Sequence, residues 1–142
     1  MPTNVYVQND LPTDLIVDTS VAPPLKGSYW SDPTGPVDAS SGQQTEILWM
    51  DRDIGITDGD TWVFTSTLEV GGTSVLLQEQ VTGTALSSTI AIQIAAGDQK
   101  TGWQTEGAQL QFNAADGNGY QAVGQFVPAS DYDNVIYTIL PY

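Results

Sequence analysis

Carboxylates are the only plentiful reactive groups in this chain, with 17 Asp and Glu against three Lys and Arg, and no His or Cys. Two acids could in principle run glycoside hydrolysis, which needs a pair roughly 5–9.5 Å apart in a defined cleft. Glu69 and Glu79 flank Gly71–Gly72 and could approach each other across a hairpin. Solvated strand faces explain both acids more simply, and no catalysis is expected. Clustered acids also suit Ca²⁺, and Asp51, Asp53, Asp58 and Asp60 crowd one segment. The EF-hand grammar fails there, because counting from Asp51 puts Gly55 fifth, Ile56 sixth and Trp62 twelfth. Asp131 and Asp133 form a smaller cluster with no loop pattern, so no metal site is expected. Histidine triads, HExxH zinc sites and thiol catalysis are excluded by composition alone. Gly117, Gly119 and Gly124 have the wrong spacing for a phosphate loop and fall in a predicted hairpin, where they would serve a turn and a strand bulge. No cofactor is expected.

Aromatic side chains are the second group able to do something. Tyr29, Trp30 and Trp103 fall in predicted loops, whereas Trp49, Trp62 and Phe64 fall on predicted strands and are expected in the core. A loop aromatic carries an apolar ring with a polar tip, which suits membrane interfaces, sugar stacking and protein contacts alike. The formal charge of −14 argues against nucleic acid, which is gripped by Lys and Arg. It argues equally against docking on anionic lipid.

Short strands are what must hold these residues. Period-two alternation runs through 3–9, 14–20, 43–50, 61–69, 73–81, 87–95, 108–114, 120–127 and 134–140. The first two segments, joined through Pro12, read as an N-terminal hairpin, and Gly71–Gly72 marks a second one. Residues 21–42 hold four prolines and three glycines without a regular pattern, and read as a long binding or packing loop. About nine short strands with polar turns and no helical period predict an all-β fold: a single-domain antiparallel β-sandwich over residues 1–142. The first nine residues lack a basic segment followed by an apolar one, so no signal peptide is expected. No apolar run approaches the roughly 20 residues of a membrane-spanning helix.

The order of segments resembles the aegerolysin family, in particular the small component of binary insecticidal crystal toxins. The opening Val5-Tyr6-Val7-Gln8-Asn9 with Leu15-Ile16-Val17-Asp18 looks like the family's N-terminal hairpin. Lys26-Gly27-Ser28-Tyr29-Trp30 is similar to the Gly/Trp-bearing loop that follows it. Thr57-Asp58-Gly59-Asp60-Thr61 looks like the entry to the middle strands, and Val135-Ile136-Tyr137-Thr138-Ile139 like the closing strand. The resemblance implies a β-sandwich that recognises membrane lipids, often sphingolipids, outside the producing cell and recruits a larger pore-forming partner. In the fungal members that partner is perforin-like. The chain departs from those members in lacking their Cys/Trp-rich segment, offering only Thr82-Gly83-Thr84 after the hairpin, so their lipid specificity does not carry over. Carried-over contacts stop at Tyr29 and Trp30; Trp103 joins them from its loop position.

The expectation is therefore a non-enzymatic membrane- or receptor-binding subunit of a two-component insecticidal toxin, with Tyr29, Trp30 and Trp103 at its contact surface. A lectin-like carbohydrate- or protein-binding module is the alternative. A third reading is an acidic homo-oligomer in which the Trp30 region packs against copies of itself.

Overall fold

Alternation in the sequence becomes alternation between core and solvent along most of the long strands. The computed structural model describes residues 2–21, 30–31, 35–52, 56–129 and 133–142. Within them run β1 (Pro2–Asn9), β2 (Leu15–Val21), β3 (Trp30–Ser31), β4 (Val37–Ala39), β5 (Gln44–Asp51) and β6 (Thr61–Val70). They are followed by β7 (Thr73–Gly83), β8 (Ser88–Ala96), β9 (Gln99–Lys100), β10 (Ala108–Asn113), β11 (Gly119–Val127) and β12 (Asn134–Pro141). One six-stranded sheet has the order β10-β11-β12-β1-β5-β3, and the other β4-β2-β6-β7-β8-β9. The fold is the expected all-β sandwich. Nine of its strands are the long ones that periodicity predicts. The other three, β3, β4 and β9, are two or three residues long, too short to show a period.

Inward-facing side chains of both sheets meet in one apolar cluster that includes Val5, Val17, Trp30, Phe64, Leu77, Ile92 and Ile139. In β6 the buried positions are Trp62, Phe64, Ser66, Leu68 and Val70, every second residue. The ring of Phe64 takes Trp30 edge-on at 5.8 Å and Trp62 edge-on at 6.3 Å, the geometry that aromatic quadrupoles favour. At the β6–β7 turn, Gly71 and Gly72 have φ of +58° and +81°, the left-handed pair that a two-residue hairpin needs. A side chain at Gly71 would also collide with Tyr120 and Ala114, because this turn packs against the β10–β11 turn.

The first two long strands do not form a hairpin. β1 pairs with β5 and, in parallel, with β12, whereas β2 pairs with β4 and β6 in the opposite sheet. Residues 10–14 are an arch between layers, and buried Asn9 builds it. Its Nδ2 donates to the carbonyls of Thr13 at 2.9 Å and Ala39 at 2.8 Å, and its Oδ1 accepts the Leu11 amide at 3.0 Å. Hairpin and arch share the same local pattern of alternation around a turn, so only the pairing separates them.

β5 carries a bulge. Val5 faces Leu48 and Tyr6 faces Glu46, leaving Ile47 as the extra residue, so that Ile47 and Leu48 are both buried. Gly124, expected at a bulge, instead sits in unbroken register between β10 and β12. It serves a close approach: a Cβ there would stand 2.7 Å from Ile92 Cδ1 and 3.1 Å from the Tyr137 ring.

Candidate functional site

Trp30 is not a surface contact. It is 2% exposed, because β3 pairs along the edge strand position with β5 and turns the ring inward onto Phe64. That burial also removes it from any packing against copies of the chain. Its Pro- and Gly-rich surroundings made the position look like a loop. Tyr29 lies outside the described residues. Trp103 is 37% exposed on a stretch that continues the edge of β8, where the Thr101 amide donates to Ile94 O at 3.0 Å and Ile92 and Gln104 exchange amide bonds at 2.8 and 2.9 Å. The structure therefore separates Trp30 from Trp103, one in the core and one on the flank.

Among the described residues, a different side chain is the most exposed large apolar one. Leu86 is 98% exposed at the tip of the β7–β8 connection. Its loop is tied at the base: the Thr84 amide donates to Ser87 O at 2.9 Å, and the Ser87 amide donates to Thr84 Oγ1 at 3.0 Å. Below it, the Gly83 amide donates to Asp60 O at 2.8 Å and Gly83 O accepts the Gly59 amide at 3.0 Å. The tip is thus presented on a hydrogen-bonded collar beside the exposed acids Asp58 and Asp60. A lone Leu in a Thr/Ser turn carries no aromatic signal, and turn geometry alone exposes it.

At the other end of β7 lies a second feature. Tyr120 donates its hydroxyl to Asp116 Oδ2 at 2.6 Å, and the Asn118 amide donates to Asp116 Oδ1 at 2.9 Å. These bonds hold the exposed Asp116 carboxyl below its usual range, the tyrosine bond first, and raise the Tyr120 phenol in turn. The Asp116 amide is fixed to Gly71 O at 3.0 Å, and the Ala115 amide to Thr73 Oγ1 at 2.9 Å. Tyr142, 72% exposed, is anchored by its amide to Gly119 O at 3.1 Å. A recess of about 350 Å³ opens between Tyr120, Tyr142, Asn118 and the residue 11–13 arch. Another of about 230 Å³ lies between Tyr142, Asn113, Gln111 and Gln99.

The two acids considered for catalysis point to opposite faces. Glu69 is exposed across from Ser74, to which it is hydrogen-bonded. Glu79 faces the core between Phe64 and Ile92 and is 0% exposed, so it is not the solvated acid that its type suggests. Desolvation pushes its pKa from 4.5 up to about 8, against the lowering effect of its bond with Tyr137. At neutral pH it is therefore an uncharged acid. Its proton can then serve Tyr137 Oη, leaving the single phenol proton for Gln78 O at 3.0 Å. A raised carboxyl pKa is a feature of catalytic acids. Here the group is sealed away from any substrate, and its chemistry is that of a bridge between sheets.

No family model, no curated protein and no solved structure matches this chain. Its function has to be read from its own surface. Among the described residues, no group of three acids is gathered in a way that could hold a metal ion. Among them, too, no helix is long and apolar enough to cross a membrane.

Proposed function

We propose that this protein is a non-enzymatic binding subunit of a two-component, insecticidal pore-forming toxin, which attaches to a target membrane or receptor and recruits a larger partner. The observation that carries the attachment half is Leu86, an apolar side chain held almost wholly in solvent on a hydrogen-bonded tip. A buried Leu contributes about 1.5–3 kcal/mol relative to an exposed one, so leaving one in water at a fixed tip suits a contact made elsewhere. Trp103 adds an exposed ring on the flank. The acids Asp58 and Asp60 beside the tip favour neutral or zwitterionic head groups over anionic ones. The resemblance to aegerolysins supports the recruitment half and the sandwich as its scaffold.

Co-sedimentation with sphingolipid-containing, phosphatidylcholine and anionic vesicles, all free of glycolipid, tests the reading. Selective retention on a zwitterionic surface is expected, with Leu86→Asp weakening it about tenfold or more and Trp103→Ala weakening it less. Equal binding by a folded Leu86→Asp protein would remove Leu86 from the contact. Absence of binding to all three vesicles would leave only a receptor for this surface to meet.

A further inference from the structure

The chain carries 17 acids, yet among the described residues the side chains lining the two recesses around Tyr142 are uncharged. The nearest acid bonded to these linings is Asp116, whose carboxylate is engaged by the Tyr120 hydroxyl and the Asn118 amide. The chemistry of this patch is specific: two phenol rings and a group of carboxamides. Tyr142 stands between the recesses as a ring 72% exposed, with Tyr120 and Asn118 on one side and Asn113, Gln111 and Gln99 on the other.

The patch is held in shape by the protein's own bonds and packing. Tyr120 is fixed by its bond to Asp116, packs against Phe112 at 6.0 Å, and lies against the Gly71 turn. Tyr142 is fixed through its backbone to Gly119. Asn118 belongs to the turn that Asp116 organises. These supports join both sheets, since the β6–β7 turn comes from one and the β10–β11 turn from the other.

We infer that this end of the sandwich is a binding site for a neutral oligosaccharide. An exposed ring offers a flat apolar face to the C–H surface of a pyranose. A carboxamide offers both a donor and an acceptor, as neighbouring sugar hydroxyls require. Absence of charge in the lining disfavours sialylated or sulfated glycans, as does the −14 charge of the chain. Two recesses sharing one ring suit two adjacent sugar units, with Tyr142 beneath the linkage between them. The site stands apart from the Leu86 tip, at the opposite end of β7, and does not depend on membrane attachment there.

The test is a printed array of neutral hexose and N-acetylhexosamine oligosaccharides beside sialylated and sulfated ones, followed by calorimetric titration with the best neutral glycan. Neutral glycans alone should be retained. Tyr142→Ala and Asn118→Ala should each weaken binding roughly tenfold. Tyr142→Phe should restore most of the Tyr142→Ala loss, since the ring and not the hydroxyl makes the platform. Trp103→Ala and Leu86→Asp should bind as the parent does. Retention of no glycan, preference for charged glycans, or full binding by a folded Tyr142→Ala, Asn118→Ala double variant would each overturn the assignment. Because the vesicles above carry no glycolipid, either site can fail without the other.

Discussion

Two carboxyl groups in this molecule are each hydrogen-bonded to a tyrosine, and they behave in opposite ways. Asp116 meets Tyr120 in solvent, and its pKa falls; Glu79 meets Tyr137 in the core, and its pKa climbs to about 8. The phenol bond lowers both. Burial decides the outcome, because the core removes the water that stabilises a carboxylate and supplies no cation in its place. Glu79 lies between Phe64 of β6 and Ile92 of β8, and among the described residues the titratable group bonded to it is Tyr137. One pair organises a surface turn; the other is an uncharged link through the interior.

Raising the pH strains the two pairs to very different degrees. An unfolded Glu loses its proton near pH 4.5, whereas Glu79 holds it to about 8. Between those values the folded state binds more protons, so this group's contribution to stability is complete below pH 4.5 and lost as pH rises through 8. The whole loss is roughly 5 kcal/mol from the shift in pKa. Urea unfolding of the parent and Glu79→Gln at pH 5, 7 and 9 should show the parent losing stability relative to the variant as pH increases. Parallel curves would mean that Glu79 is ionised or hydrated in the fold. A smaller effect is expected from Gly124→Ala, whose methyl would press on Ile92 and Tyr137. Overpacking of this kind costs about 1–3 kcal/mol, measurable as a fall in the denaturant midpoint, and an unchanged midpoint would mean that the Tyr137 ring moves freely. Least consequential is Tyr120→Phe. It should let the Asp116 pKa rise toward the ordinary carboxylate range in an NMR titration while barely moving the melting temperature, since the pair is exposed. A large drop in melting temperature there would erase the contrast between the pairs.

Much of this was legible in the residues, and the failures have physical causes. Val75, Leu77, Glu79 and Val81 share one phase of β7, so the pattern already placed Glu79 on the core face; residue type argued for solvent, and phase prevailed. Tyr137 stands likewise in phase with Val135 and Ile139. Trp30 was hidden because a two-residue strand has no period to read. Residues 3–20 alternate the same way whether the turn between them joins neighbours in a sheet or opposite layers, and of the Asn9 bonds that build the arch the one to Ala39 O spans 30 residues of sequence. Tyr120 and Tyr142 become neighbours through the pairing of Tyr120 with Pro141, which only register reveals. Leu86 gave no signal except its place in a turn.

The parallel pairing of β1 with β12 gives the two sheets different histories during synthesis. β6, β7, β8 and β9 pair in the order in which they leave the ribosome, each against a strand just made. In the other sheet, β10–β11 and β1–β5–β3 can be joined only once β12, which follows them all in the sequence, is in place between them. Until then both β1 and β11 offer a bare edge, open to pairing with other nascent chains. β12 also carries Tyr137 to Glu79, so the strand that covers the edges of β1 and β11 is the one that links the sheets through the interior.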